Sequence, residues 1–260
     1  MKKRLDVLLV ERGLAESRAQ AQALVMAGLV PGYDKPGQQV DENAEVAVER
    51  GPDYVSRGGE KLETALAAFG VDVAGERCLD VGASTGGFTD CLLQHGAAAV
   101  IALDVGRNQL HERLRADPRV TVVDRTNARS LDCGALPFRP GLVTADVSFI
   151  SLRLVLPAVL ACADDRWRAL VLVKPQFEAG RADVRRGVVR DHEVRRRVLQ
   201  DFSGFATASG WAVLGVCDSC VPGPAGNREY LVYLAPHAHP VQEDHTADVA
   251  DQIERALAAS

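Results

Sequence analysis

The chain has 260 residues, of which 47% are hydrophobic, and a formal net charge of −5. It is long enough to bury a sizeable core, and its total charge argues weakly against nucleic-acid binding, which depends on local patches more than on the sum. Because no apolar run approaches the roughly 18 to 20 residues that span a bilayer, and residues 1–6 lack the apolar stretch of a secretion signal, we expect a soluble cytoplasmic protein without a membrane partner.

The six cysteines favour reduced thiols over a disulfide framework, because most of them stand alone among apolar or small residues. They are Cys78, Cys91, Cys133, Cys162, Cys217 and Cys220. Only the last two have a spacing known from redox or metal motifs, and neither a second pair nor an adjoining histidine accompanies them. We expect no metal.

The first fifty residues form a candidate small domain. Leucines and alanines recur at helical spacing from residue 4 to 30, with Gly13 ending one short helix and Ser17 placed to cap the next. A turn region rich in glycine and proline follows. Residues 45–48 then alternate between polar and apolar side chains and predict a short strand. We therefore predict a first domain over residues 1–50.

After a glycine- and proline-containing linker, residues 51–57, short apolar runs alternate with helical segments. The runs are 78–81, 99–103, 120–123, 142–145, 169–173, 212–216 and 230–234. Strands buried on both faces that alternate with helices predict an α/β fold with a doubly wound, mostly parallel sheet of seven strands. We place this domain at residues 58–236 and an acidic tail with a terminal helix at 237–260.

Residues 79–90 read Leu-Asp-Val-Gly-Ala-Ser-Thr-Gly-Gly-Phe-Thr-Asp, after one predicted strand and at the start of a helix. Glycine in such a turn lets the backbone approach a ligand closely. The pattern is neither the dinucleotide fingerprint nor a P-loop, which favours a ligand without a pyrophosphate. The candidate contacts are Asp80, Gly82, Ser84, Thr85, Gly86, Gly87 and Phe88.

Two acidic residues end the next two predicted strands. Asp104 lies about twenty residues after the loop, where a carboxylate in this fold accepts hydrogen bonds from ribose hydroxyls. Asp124, in a run that ends with Asn127, is placed to reach an adenine amino group. Either acid alone would equally well cap a following turn. A glycine loop followed by two strand-end acids indicates S-adenosylmethionine.

Four polar residues, Lys61, Asp146, Lys174 and Glu229, each lie at the edge of a motif. Methyl transfer to a ribose 2′-hydroxyl is an in-line displacement, in which the hydroxyl must lose its proton. A lysine accepts that proton only if burial or a neighbouring cation lowers its pKa. Lys174 is the candidate base and Lys61 the neighbouring cation, whereas Asp146 would hold the Lys174 ammonium and Glu229 would balance the second charge. The alternative is an ion-pair cluster that closes the strand ends without chemistry.

This set of four residues resembles the Lys-Asp-Lys-Glu tetrad of the FtsJ-type ribose methyltransferases. Six segments resemble the TlyA family throughout; they begin at Ser56, Asp80, Asp124, Asp146, Val173 and Gly223. The resemblance implies a Rossmann-like class I methyltransferase fold, S-adenosylmethionine as methyl donor, and 2′-O-methylation of cytidine in the RNA of one or both ribosomal subunits.

The same resemblance assigns the first domain to the S-four-like RNA-binding domains, with basic side chains facing phosphates. The expected RNA-binding residues are Lys3, Arg4, Arg12, Ser17, Arg18, Arg57, Arg181, Arg185 and Arg186. We expect the basic segment 178–197 to close over RNA as a mobile, partly helical element. The expected partner is ribosomal RNA or a ribosomal subunit, and the oligomeric state stays open.

Three other hypotheses remain. A small-molecule methyltransferase would need a closed apolar pocket, which the aromatic fraction of 5% and the arginine-rich segment disfavour. A non-enzymatic RNA-binding or ribosome-assembly protein would not need the intact tetrad and glycine loop. A pore-forming haemolysin, a label that the family has often carried, finds no spanning helix in the sequence.

Overall fold

The computed structural model describes residues 2–49, 53–237 and 248–259. It consists of two units that divide between Asp53 and Tyr54. Residues 50–52, where we expected the first domain to end and the linker to begin, lie outside the described residues, as do residues 238–247 of the acidic tail.

The first unit contains two helices, α1 (Leu5–Glu11) and α2 (Arg18–Met26), and two short antiparallel strands, β1 (Lys2–Arg4) and β2 (Gln39–Asp41). The hydroxyl of Ser17 accepts a hydrogen bond from the backbone N–H of Gln20 at 3.2 Å and so caps α2. Both helices and this cap are confirmed. Leucine and valine side chains from the helices and β2 form a small core of their own.

The prediction of a strand at residues 45–48 is wrong. Val46 and Val48 are half-buried between exposed Glu45 and Ala47, so the alternation is real. Within the described residues, however, this segment has no partner strand to complete a ladder. The strand of this unit is instead β2, which pairs with β1 and buries Val40.

The second unit is built on a seven-stranded sheet, mostly parallel as predicted. Its strands are β3 (Arg77–Val81), β4 (Ala99–Leu103), β5 (Val120–Val123), β6 (Leu142–Ala145), β7 (Arg168–Val173), β8 (Trp211–Asp218) and β9 (Tyr230–Pro236). Their order across the sheet is β5-β4-β3-β6-β7-β9-β8, with β9 antiparallel to both of its neighbours. The strand order reverses between β3 and β6, where open α/β sheets place their ligands.

Helices cover both faces of this sheet. They are α3 (Gly58–Phe69), α4 (Gly87–Gln94), α5 (Glu112–Arg115), α6 (Leu152–Ala161), α7 (Pro175–Glu178), α8 (His192–Ala208) and α9 (Val249–Ala258). One apolar core contains residues of α6, α8 and α9, and the other contains residues of α3 and α4. No helix among the described residues is long and apolar enough to cross a membrane.

The expectation that all cysteines are reduced is wrong for one pair, because a disulfide joins Cys133 to Cys162 with 4.9 Å between their Cα atoms. Cys133 lies in a 3₁₀ turn and Cys162 follows the last residue of α6. A separation of 29 residues carries no sequence signal, so only the fold reveals the pairing. The other four cysteines have free thiols.

Candidate active site

The site lies at the carboxyl ends of β3 and β6, where the glycine loop passes close to the backbone of the neighbouring strand. Gly82 has a φ of +82°, and a Cβ added there would lie 2.4 Å from the backbone oxygen of Asp146. Only glycine both adopts this positive φ readily and has no Cβ to collide with the Asp146 backbone. The first glycine of the loop therefore permits the close approach that brings Asp146 to the loop.

A cleft of about 520 Å³ opens beside this loop and has Gly82, Ser84, Asp104 and Asn127 in its walls, together with apolar side chains such as Val105. The Asp104 carboxylate accepts hydrogen bonds from the backbone N–H groups of Ser84 at 2.8 Å and Gly106 at 2.7 Å. These two bonds fix the carboxylate at the cleft, and its remaining lone pairs suit the hydroxyls of a ribose.

A second cleft of about 380 Å³ is lined by Arg57, Lys61, Thr85, Gly87 and Phe88. It shares Gly82, Ser84 and Asp146 with the first cleft. An elongated ligand lying along both clefts would pass Asp146 near its middle. A polar cradle at one end and a mixed polar and apolar wall at the other suit the methionine and adenosine parts of S-adenosylmethionine, so the residues present fit this cofactor.

Asp80 does not line either cleft, contrary to the direct cofactor contact that we expected. It is fully buried and accepts hydrogen bonds from the hydroxyls of Thr89 at 2.7 Å and Thr144 at 3.1 Å. Burial raises the pKa of Asp80 to about 7, the nearby charge of Asp146 adds to the rise, and the two hydroxyls oppose it. In this structure Asp80 joins α4 to β6 beneath the loop.

Asp124 and Gly86 are also absent from the cleft walls. Asp124 accepts a hydrogen bond from the backbone N–H of Asn108 at 3.2 Å and contacts Arg115 at 3.5 Å. Gly86, with a φ of +99°, faces leucine side chains that leave no room for a Cβ. Both residues support the loops around the cleft.

The four tetrad residues come together as two ion pairs. Lys61 Nζ lies 2.5 Å from Glu229 Oε2, and the Lys174 ammonium contacts the carboxylate of Asp146. Lys61 is 7% exposed, Lys174 8% and Glu229 1%, whereas the Asp146 side chain is more open at 23%. The pairing is the one that the sequence predicted.

Four different elements supply these side chains. Lys61 lies in the first turn of α3, whereas Asp146 and Lys174 directly follow the adjacent parallel strands β6 and β7. Glu229 directly precedes β9, which runs antiparallel to β7. The carboxyl ends of β6 and β7 and the start of β9 therefore meet at one edge of the sheet.

Sequence reasoning missed three residues that hold the tetrad. Lys174 donates a hydrogen bond to the hydroxyl of Ser148 at 3.1 Å, and Gln176 donates to Glu229 Oε1 at 3.1 Å. A Cβ on Gly223 would lie 2.3 Å from the same carboxylate oxygen. Each lies within six residues of a tetrad member, in a motif already noted, but its contact depends on tertiary packing.

An aromatic pair stands at the rim of the first cleft. The Phe149 side chain is 91% exposed and its backbone has a φ of +64°, unusual for a bulky residue. Its ring centroid lies 5.1 Å from that of Phe177, whose ring faces the Lys174 ammonium at 6.0 Å. An aromatic ring held in solvent by a strained backbone beside a reactive site suits a planar ligand.

Two of the expected RNA-binding arginines, Arg185 and Arg186, lie in a tight hairpin. Arg185 exchanges two backbone hydrogen bonds with Val188 across Arg186 and Gly187, which have φ values of +52° and +78°. The Asn227 side chain donates to the Gly187 carbonyl at 2.9 Å and accepts from a backbone N–H of the same hairpin at 3.2 Å. Asn227 thus connects the arginine hairpin to the loop that carries Glu229.

Both arginines are exposed and line a groove of about 520 Å³. The segment 178–197 is partly helical, as expected, because α8 begins at His192. Arg181 is exposed nearby, and Arg57 lines the second cleft.

In the first unit, Arg4 and Arg18 converge on the fully buried Asp6 at 2.9 and 3.0 Å. The Arg4 hydrogen bond is the main reason that the pKa of Asp6 lies far below its usual range. Lys3 pairs with Glu11 at 2.6 Å, and Arg12 donates two hydrogen bonds of 2.6 Å to backbone carbonyls. These contacts order the basic side chains within their own unit.

Comparison with known proteins places this geometry in a family. The model of the FtsJ-like methyltransferases matches residues 54–235, and that of the S4 domain matches residues 3–30. The 16S/23S rRNA (cytidine-2′-O)-methyltransferase TlyA of Mycobacterium tuberculosis is 49% identical over 239 residues, with 89% of each protein covered.

Solved structures have a similar fold. A protein of Streptococcus thermophilus, described provisionally as a hemolysin, is 41% identical with a TM-score of 0.74, over 99% of this chain and 96% of that one. An S-adenosylmethionine-dependent methyltransferase of Mesorhizobium loti, 20% identical with a TM-score of 0.50 over 67% and 97% of the two chains, shares the fold. The chain belongs to the FtsJ-like methyltransferase family, among the TlyA methyltransferases, and carries an S4 domain ahead of its catalytic unit.

Proposed function

We propose that this protein transfers a methyl group from S-adenosylmethionine to the 2′-hydroxyl of a cytidine in ribosomal RNA. The observation that carries the proposal is the pair of buried lysine–carboxylate contacts beside the glycine loop. The M. tuberculosis relative, whose name states this reaction, supports it. The bound cofactor supplies an electrophilic methyl group, and the protein supplies the groups that hold and deprotonate the hydroxyl.

Lys174 is the proposed base. It follows β7 directly, and Asp146 and Ser148 hold its Nζ atom from the adjacent β6 side. In this proposal Lys174, as the amine, takes the hydroxyl proton while the oxygen attacks, and Asp146 then stabilises the resulting ammonium.

Lys61 is the proposed cation that positions the ribose hydroxyl or the adjacent phosphate. Glu229 and Gln176 fix its position, because Glu229 accepts from both side chains. The pair is almost fully removed from water, where a charge keeps its full effect on a neighbouring reacting group. Asp104 and Asn127 would hold the adenosyl part of the cofactor and the glycine loop its amino-acid part.

An RNA substrate is supported by features outside the tetrad. The S4 domain model matches the first unit, and the arginine hairpin presents two exposed guanidinium groups that suit phosphates. The exposed ring of Phe149, packed against half-buried Phe177, offers a surface on which an unstacked base can lie. The proposal places the protein in the cytoplasm, where ribosomal subunits are assembled.

The test is transfer of labelled methyl from S-adenosylmethionine to purified 30S subunits, 50S subunits and naked rRNA. We expect incorporation into at least one of them, at a linkage that resists alkaline hydrolysis because its 2′-oxygen is methylated. Cofactor binding without incorporation into any of the three would overturn the rRNA proposal. An alkali-labile product would overturn ribose as the site of methylation.

A further inference from the structure

A second cluster of reactive side chains lies between α3 and α4, outside the proposed active site. It consists of Glu63 on α3, Cys91 on α4 and His95, which directly follows α4. Glu63 Oε2 lies 3.2 Å from His95 Nε2 and 3.9 Å from Cys91 Sγ. One ligand atom from each residue lies within 4.8 Å of the other two.

Two of these separations, 3.2 and 3.9 Å, lie near those of a tetrahedral metal site. With bonds of about 2.0 Å to nitrogen and oxygen and about 2.3 Å to sulfur, ligand atoms around zinc lie about 3.2–3.6 Å apart. The sulfur, nitrogen and oxygen donors are also those that zinc accepts. We propose that Glu63, Cys91 and His95 bind a zinc ion, with a fourth position left for water.

The surroundings already orient two of the three ligands. His95 Nδ1 lies 3.0 Å from the backbone oxygen of Cys91, a contact that leaves Nε2 directed to Glu63 and the metal. The Tyr54 hydroxyl donates a hydrogen bond to Glu63 Oε2. Such outer contacts commonly fix the ligands of zinc.

Cys91 is fully buried, and burial raises the pKa of its thiol to about 12, so without a cation the sulfur keeps its proton. Zinc binding forms a Zn–S bond as the S–H bond breaks, and the proton goes to solvent. The sequence alone does not bring this cluster together, because only the Cys-x₃-His spacing is local, while Glu63 lies 28 residues before Cys91.

The ion would connect the two helices that shape the proposed active site. α3 carries Lys61 two residues before Glu63, and α4 starts at Gly87 of the glycine loop. The proposed role of the zinc ion is structural, so the zinc proposal can be tested independently of the methyl-transfer chemistry.

The test uses the full chain, stripped of metal with a chelator and then titrated with Zn²⁺, and with Co²⁺ as a spectroscopic probe. We expect one tightly held ion per chain and a sulfur-to-cobalt charge-transfer band. Both should be lost in Cys91→Ala and in His95→Gln. The matched controls, Cys78→Ala at another buried thiol and Cys220→Ser at an exposed one, should keep both.

Because Cys91→Ala removes a core side chain, His95→Gln serves as the milder variant, and circular dichroism verifies that it is folded. Zinc should raise the melting temperature of the wild-type chain by on the order of a few degrees and leave that of His95→Gln unchanged. Three results would each overturn the proposal: no zinc bound by the wild type, zinc retained in folded His95→Gln, or zinc lost only in Cys220→Ser.

Discussion

Each lysine of the tetrad has its own carboxylate, so at the scale of single residues the site contains two neutralised pairs. A buried ion pair is weak evidence for stability, because desolvation offsets much of the attraction. Removing only one partner, in contrast, leaves an unpaired charge in the interior. Comparing the stability and the activity of single and double variants therefore distinguishes the catalytic hypothesis from the alternative of an ion-pair cluster without chemistry.

We predict that Glu229→Gln lowers the free energy of unfolding by about 3–5 kcal/mol, since the Lys61 charge stays buried without its partner. The double variant Lys61→Met, Glu229→Gln should recover most of this loss but stay inactive. Urea unfolding and methyl transfer measured on the same samples check both statements.

The matched control for this pair is Glu254→Gln, which breaks the exposed Arg196–Glu254 pair and should lower the free energy of unfolding far less. If the double variant regained activity together with stability, the Lys61–Glu229 pair would be structural.

The raised pKa of Asp80 leads us to predict that the stability of the protein depends on pH. Its folded-state pKa of about 7 lies above the unfolded value of 3.8, so the folded protein holds a proton that the unfolded chain has released. The stabilisation of the folded state by this proton is fully present below pH 4 and is lost as the pH rises through 7. Asp80→Asn should therefore gain stability relative to wild type by about 2–4 kcal/mol between pH 4 and pH 8.

Chemical unfolding of both proteins at several pH values measures this difference. Parallel stability profiles for wild type and Asp80→Asn would show that Asp80 is ionised in the folded protein throughout.

The sequence predicted the two ion pairs of the tetrad, because buried opposite charges must pair. The catalytic roles of Lys61, Asp146, Lys174 and Glu229 stay predictions. Sequence reasoning failed for Asp80, since a strand-end acid can point into the sheet as well as toward the ligand. Ser148 and Gln176 lie inside motifs that the sequence shows, but their contacts with the tetrad depend on tertiary packing.

At the scale of elements, α3 and α4 approach each other so closely at their N-termini that there is no room for a side chain between them. A Cβ on Gly87 would lie 2.3 Å from the hydroxyl of Ser56 and 2.8 Å from the backbone nitrogen of Gly59. The contact sets the distance between Lys61 and the glycine loop.

We therefore predict that Gly87→Ala destabilises the protein by about 1–3 kcal/mol and weakens S-adenosylmethionine binding, because α3 must shift away from the loop. The control is Gly204→Ala on the exposed face of α8, where nothing lies within 4 Å and alanine should stabilise by about 0.5–1 kcal/mol. Thermal unfolding and calorimetric titration measure both effects. Unchanged cofactor affinity in Gly87→Ala would contradict this account.

The arginine hairpin depends on Asn227 for its position. Asn227→Ala leaves the buried backbone N–H of Val189 without its acceptor, at a cost of about 1–3 kcal/mol, and releases the hairpin. We predict a KM for rRNA raised several-fold, with unchanged affinity for S-adenosylmethionine.

Arg186→Gln should raise the KM for rRNA in the same way, whereas Arg166→Gln, at an exposed site before β7 and so at the opposite edge of the sheet, should not. An equal rise in KM for Arg166→Gln would mean that the effect of Arg186→Gln reflects only the loss of a positive charge.

Most elements of the second unit were predictable because buried parallel strands read as short apolar runs. Three predicted strands match the structure to the residue, and the others extend by one to three residues at their ends. The strand at 45–48 failed because alternation reports which side chains are buried, and a strand also needs a partner. The Cys133–Cys162 disulfide and the Glu63–Cys91–His95 cluster arise from contacts between distant elements.

At the scale of the whole molecule, the doubly wound fold explains why distant residues form one site. The strand order reverses between β3 and β6, so the glycine loop and Asp146 meet there, and β7 and β9 add Lys174 and Glu229. The first unit has its own core and matches an RNA-binding family. A catalytic unit and an RNA-binding unit in one chain fit a substrate too large for an enclosed pocket.

The most direct test of the central claim is single-turnover methyl transfer to the modified ribosomal subunit by wild type and Lys174→Arg. Arginine keeps the positive charge beside Asp146 but cannot act as a base, because its guanidinium stays protonated. We predict intact S-adenosylmethionine binding and a methylation rate lowered by at least about 100-fold, in line with the loss of a general base. A rate within a few-fold of wild type would show that the charge of residue 174, and not proton removal by Lys174, is what the reaction requires.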